Sequence, residues 1–230
     1  MAVAGSCIPP AALPNGTKKV VTALNLLSFQ SPIMRFLERV FDLIVLNLMT
    51  LLLCIPIVTA GAAMTALHKT LFDIRQQKGR TVLGFWQTFR AEFRPALPLG
   101  LLAFVAIAAY GGYLYLLYEQ LAAESAWAWI ALAAVGALFF FPMTFVFPLF
   151  AKFENTVKKT IVNAFFMSIR HIPLTLLVLA MQGVWVVVMF LLPYQAPFVV
   201  LAWLFFGISL PAYLASGLFL RVFKQYAELE

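Results

Sequence analysis

Four polar side chains stand inside otherwise apolar stretches of this chain: Asp42, Asn47, Thr59 and Gln182. Groups of this kind at membrane depth are where a proton, a cation or a neutral solute would be handled. Asp42 is the one acidic residue in those stretches, so it alone could carry proton or cation chemistry. A structural role competes with that one. Arg39 lies three residues earlier, and an i,i+3 pair near the membrane surface would satisfy the carboxylate. The structural role is the stronger reading. Asn47, Thr59 and Gln182, with Thr50, Thr65 and Trp185, could line a path for a neutral solute, because amides and aromatic rings suit a sugar. The same groups also bond helix to helix in membranes, and that is the better reading of them.

Other chemistry finds no support in residue spacing. There is no HExxH, no Gly-rich phosphate loop, no Ser-His-Asp set and no pair of carboxylates. His68 and His171 have no Cys or carboxylate at ligand spacing, so no metal site is expected. Cys7 and Cys54 do not make a disulfide framework. The expectation is a protein that is not an enzyme and holds no cofactor.

The elements that must position these residues are membrane helices. The chain is 63% hydrophobic and only 11% charged, with a mean hydropathy of +0.95, against about 25% charged residues in soluble domains. Its net charge of +7 therefore reads as basic loops against anionic lipid rather than as a nucleic-acid surface. A span needs about 20 apolar residues. Ala96–Tyr118, Trp127–Phe150, Leu174–Leu192 and Phe198–Leu220 meet that length. Val40–Leu67 is either one span or a hairpin broken between Pro56 and Gly61. Proline removes a donor, and glycine permits a reversal.

Charge decides between the two. All sixteen Lys and Arg residues fall in groups at 18–39, 69–94, 152–170 and 221–224. Six crossings place every one of them, and both termini, on the cytoplasmic side. Five crossings strand the first group outside. The expected fold is all-α: a polytopic membrane bundle of about six helices with a broken first hairpin. Residues 1–31 would be a flexible cytoplasmic extension, 32–223 a single transmembrane domain, and 224–230 a short cytoplasmic tail. Phe85, Phe89 and Phe93 recur at helical spacing, with Trp86 beside them and Arg90 and Arg94 off the stripe. This predicts an amphipathic helix at the inner interface, in contact with lipid or a partner, after which Pro95 and Pro98 open the next span. Phe165-Phe166-Met167-Ser168-Ile169-Arg170 resembles Phe85–Arg90 in type, and Arg170 joins the same class of contact residue.

Leu46-Asn47, Pro56, Thr59, Gly61 and Ala66-Leu67, then Phe85-Trp86, Phe89-Arg90 and Phe93, and later Ala164-Phe165 and Ser168–Pro173, resemble the YesL-like family of bacterial integral membrane proteins over most of residues 33–220. The resemblance implies a bacterial inner-membrane protein of unknown function. Such proteins are often encoded beside sugar-uptake ABC transporters and polysaccharide-degrading enzymes. It thus implies an accessory role, with permease subunits and membrane lipids as partners and no nucleic acid. It supplies no catalytic residues.

Overall fold

The computed structural model describes residues 32–78, 81–120, 126–153 and 156–227. The expected N-terminal extension, 1–31, lies outside them. The described residues form α-helices only, apart from one 3-10 turn. They are α1 (Pro32–Cys54), α2 (Ile57–Arg75), α3 (Thr81–Gln120), α4 (Ala126–Lys152), α5 (Val157–Arg170), α6 (Ile172–Leu191), α7 (Ala196–Phe206) and α8 (Ser209–Ala227), with the 3-10 turn Pro193–Gln195 before α7. By contacts the chain divides into Met1–Phe41 and Asp42–Glu230, a boundary inside α1. In the first unit, the start of α1 exposes Phe36, Leu37 and Phe41. All that follows concerns the second unit.

The protein is an all-α membrane bundle, with large apolar side chains such as Phe190, Phe198 and Trp127 turned outward. Among the described residues three helical stretches are long and apolar enough to cross a membrane: Thr81–Leu116, Ile130–Lys152 and Ile172–Leu191. A fourth arises only if Pro193–Phe206 and Ser209–Tyr226, bent by 47°, count as one span. By length and composition this is fewer than the expected six, and the shortfall arises in two places. α1 and α2 are not among the spans, because Glu38, Arg39 and Asp42 interrupt one and His68, Lys69 and Asp73 the other. Phe198–Leu220, expected as one span, is broken at Gly207-Ile208.

The first break is shorter than expected. Only Ile55 and Pro56 separate α1 from α2, with Pro56 as the N-terminal cap residue in extended conformation. Gly61, expected in the break, lies inside α2. Pro95 and Pro98 do not open a new helix either; both lie within α3, which runs unbroken for 40 residues, about 60 Å at 1.5 Å per residue. Each proline deprives one carbonyl of its helical partner, a cost that membrane helices tolerate when neighbours compensate. The resembling segment Phe165–Arg170 is treated differently: α5 ends at Arg170, and His171 separates it from α6. α2 ends in a Schellman arrangement, with Lys78 N–H donating to Asp73 O at 2.8 Å and Gln77 N–H to Ile74 O at 3.2 Å. Gln77 takes the left-handed conformation there, φ 56°, where glycine is usual.

The core has two textures. Toward the basic side, aromatic rings interlock. Phe219 of α8 meets Phe145 of α4 edge-on at 5.1 Å and stacks on Phe223 at 5.9 Å, and Phe223 meets Phe72 and Phe153. Edge-to-face pairs at these separations contribute about 0.5–1.5 kcal/mol beyond burial. Nearer the Pro56 turn the packing is by small residues. Among the described residues α2 packs extensively on α3, and Gly61 lies against Gly100. A Cβ at Gly100 would lie 2.7 Å from the Gly61 nitrogen, and one at Gly61 would lie 2.5 Å from the Ala96 carbonyl oxygen. Lys69 and Glu92 join the same two helices by an ion pair at 3.4 Å.

Candidate functional site

The deep polar residues are mostly engaged with the protein's own backbone. Asn47 is fully buried on α1. In an unbroken helix the Ile208 amide would donate to the Leu204 carbonyl. Asn47 separates that pair. Its Nδ2 donates to Leu204 O at 2.7 Å and to Trp203 O at 3.3 Å, while its Oδ1 accepts from Ile208 N at 2.9 Å and Ser209 N at 2.8 Å. Every donor and acceptor of the amide is thus used, and a side chain inserted into the i→i−4 ladder accounts for the bend between α7 and α8.

Thr59 serves the first break in the same manner. Its hydroxyl reaches the Leu53 carbonyl across the turn and the Pro56 carbonyl at 2.8 Å. Thr65 donates to Gly61 O at 2.9 Å. Thr50 is fully buried, and its hydroxyl has no partner among the described residues. Asp42 is half-buried on α1.

The aromatic stripe of α3 does not lie on an outer face. Phe85 and Phe89 are buried in the core, and Phe93 packs against it. Trp86, Arg90 and Arg94 remain exposed. Trp86 stacks on Phe89 at 5.6 Å, and Arg90 sits over the Trp86 ring at 4.9 Å. Arg170 is exposed at the end of α5, 5.8 Å from the Tyr226 ring.

Beside it, His171 Nε2 lies 3.2 Å from the Tyr226 hydroxyl. Burial, and then the Arg170 charge, lowers the His171 pKa from its ordinary 6.5. A histidine whose folded pKa is depressed favours folding while neutral; that contribution is lost as the pH falls below 6.5 toward the folded value. Between pH 7 and pH 5 the native protein should therefore lose thermal stability more steeply than a His171→Gln variant. Equal slopes in a melting series would remove His171 from the pH response.

Arg75 is a residue that sequence reasoning placed only among the basic loop charges. Its Nε donates to Ser216 Oγ at 2.6 Å, its Nη2 donates to Tyr213 O at 2.6 Å, and its guanidinium lies 4.5 Å from the Tyr213 ring centre. Gly217 leaves the room for it, since a Cβ there would meet Nη1 at 2.8 Å. The end of α2 is thereby clamped across α8. Nothing in the local sequence around Arg75 signals this, because the partners lie more than 130 residues away.

What remains for a ligand is a cavity of about 530 Å³, open at one edge and lined from α1, α2, α3, α4, α6 and α8. Gln182 and His68 are on its wall, and Gly61 and Gly100 belong to its lining. Its size falls within the about 300–1,000 Å³ of small-molecule sites. Of the four polar residues singled out, Gln182 lines this space, and Asp42, Asn47 and Thr59 do not. Trp185 is half-buried elsewhere on α6. A second cavity of about 610 Å³ between α3, α4 and α5 has a wholly apolar lining. Among the described residues no three His, Cys, Asp or Glu side chains come together as metal ligands would.

Comparison with known proteins adds one match. The family described as "Protein of unknown function, DUF624" matches residues 43–111, the stretch that holds Asn47, the Pro56 turn, Gly61, Gly100 and most of α3. No curated protein and no solved structure matches the chain. The chain is a helical membrane protein that carries, over residues 43–111, the pattern of a family of unknown function.

Proposed function

We propose that this protein is a non-enzymatic membrane partner of a bacterial carbohydrate-uptake permease of the ABC type. It would sit in the inner membrane with both termini cytoplasmic. The observation that supports this reading is the fate of the polar side chains. Asn47 and Thr59 are spent on the protein's own helix breaks, while Trp86, Arg90 and Arg94 stand exposed on the basic end of α3. A protein that passes sugars needs hydrogen-bonding groups free to exchange with solute. Here two of the candidate groups are spent on the fold, while charged and aromatic side chains are exposed at a surface where a partner's cytoplasmic loops, or anionic headgroups, would meet them. The resemblance to YesL-like proteins supplies the class of partner.

The competing reading, a small transporter for a neutral solute, loses two of its four residues to structural bonds and retains Gln182 and Trp185. Purification of the tagged protein in a mild detergent tests the proposal. A permease subunit should co-purify, and Trp86→Ala with Arg90→Glu should reduce its recovery at least tenfold. Consistent recovery of the protein alone overturns it.

A further inference from the structure

The cavity of about 530 Å³ has a directional character. At one edge Ile57, Phe104 and Ile107 are exposed, although they line it. These side chains are apolar and lie on the outside of the helices, and Phe104 and Ile107 belong to a stretch apolar enough to cross a membrane, so in a bilayer this edge of the cavity would meet hydrocarbon. Deeper in, His68 is only 8% exposed, and its Nδ1 is buried with no hydrogen-bond partner among the described residues. A buried polar atom left without a partner is rare in folded proteins and marks a place where a further group fits. Gln182 shares the same wall from α6, and its side-chain amide makes no hydrogen bond among the described residues. No Lys, Arg, Asp or Glu lines the space, and most of the wall is aliphatic or aromatic.

We infer that this cavity binds a neutral, single-chain lipid entering from the bilayer, with its hydroxyl head between His68 and Gln182 and its chain along Phe104 and Ile107. Each part of the ligand follows from one part of the wall. A charged headgroup would be stripped of water with no opposite charge to meet it. A free sugar would leave most of its hydroxyls unpaired against an apolar wall. A hydroxyl suits both polar groups, because an imidazole nitrogen donates or accepts according to its tautomer and a primary amide does both. The site is independent of the permease-docking face, which lies on Trp86, Arg90 and Arg94, so either proposal can fail without the other.

The test uses the full chain in proteoliposomes and a monoacylglycerol with a photoreactive diazirine in its acyl chain. Saturable labelling of α3 and α4 peptides around Phe104 and Met143 is expected, and unmodified monoacylglycerol should compete it away. Gln182→Leu should weaken that competition at least tenfold, and His68→Leu should do likewise. Met64→Trp, at a position that lines this cavity and not the second one, should abolish the labelling. If His68→Leu does not fold, Gln182→Leu decides, since the Gln182 side chain holds no hydrogen bond among the described residues. Labelling that is unsaturable, that spreads over the outward helix faces, or that survives Gln182→Leu unchanged overturns the inference. Equal labelling by a diazirine phosphatidylglycerol overturns the neutral head.

Discussion

Replacing Asn47 by alanine is expected to destabilise the folded protein by about 2–4 kcal/mol, since two buried amides lose their acceptor at about 1–3 kcal/mol each. Part of that loss is recoverable. Once Asn47 is gone, the Ile208 amide can turn back to the Leu204 carbonyl and straighten α7 and α8 toward one helix. The variant should therefore both unfold more readily in a denaturing-detergent titration and lengthen the distance between spin labels at Tyr194 and Arg221. Unchanged stability together with an unchanged distance would mean that Gly207 and Ile208 hold the bend by themselves. Asn47→Asp sharpens the test. A protonated carboxyl can accept from Ile208 and Ser209 and donate to Leu204, as the amide does. A carboxylate has only acceptors. The Asp variant should be destabilised at neutral pH and should recover on acidification.

The second large effect is expected at the α2–α3 contact. Gly100→Ala places a methyl group 2.7 Å from the Gly61 nitrogen and 2.9 Å from its Cα. Backbone cannot yield as a flexible side chain would, so the helices must move apart. Overpacking of this kind costs about 1–3 kcal/mol, and Gly100→Leu should remove most of the folded, monodisperse protein. Gly111→Ala on the same helix is the control. Nothing lies within 4 Å of the Cβ it would add, and alanine is the better helix former by about 1 kcal/mol. Chemical unfolding of the purified variants separates the two positions. Similar stabilities for Gly100→Ala and Gly111→Ala would show that the close approach does not limit the fold.

The fold class and the hydrophobic stretches were legible because they depend on composition and on short-range pattern. The Pro56 turn was legible for the same reason, proline being a local signal. Gly61 was misread because glycine has two uses. It permits a turn, and it permits contact between backbones, and only the position of Gly100 shows that the second applies. Pro95 and Pro98 signalled a helix start that α3 overrides, since the packing of α3 on α2 continues through them. The bend at Gly207 was invisible in Phe198–Leu220. Its cause is Asn47, far away on α1, which the sequence marks as polar but cannot assign to a partner. His68 was noted only as a histidine without companions. Its place in a cavity wall emerges from helices that the chain brings together over more than 150 residues.

α3 has one further consequence. At about 60 Å it is twice the thickness of the apolar layer, about 30 Å. Helices meet a change in bilayer thickness by tilting. In a rod of this length a tilt of about 10° sweeps one end sideways by ~10 Å relative to the other. The swept end carries Trp86, Arg90 and Arg94. A change in membrane thickness would then act on α3 as on a lever, and a few ångströms in the lipid would displace the exposed end that carries Trp86, Arg90 and Arg94.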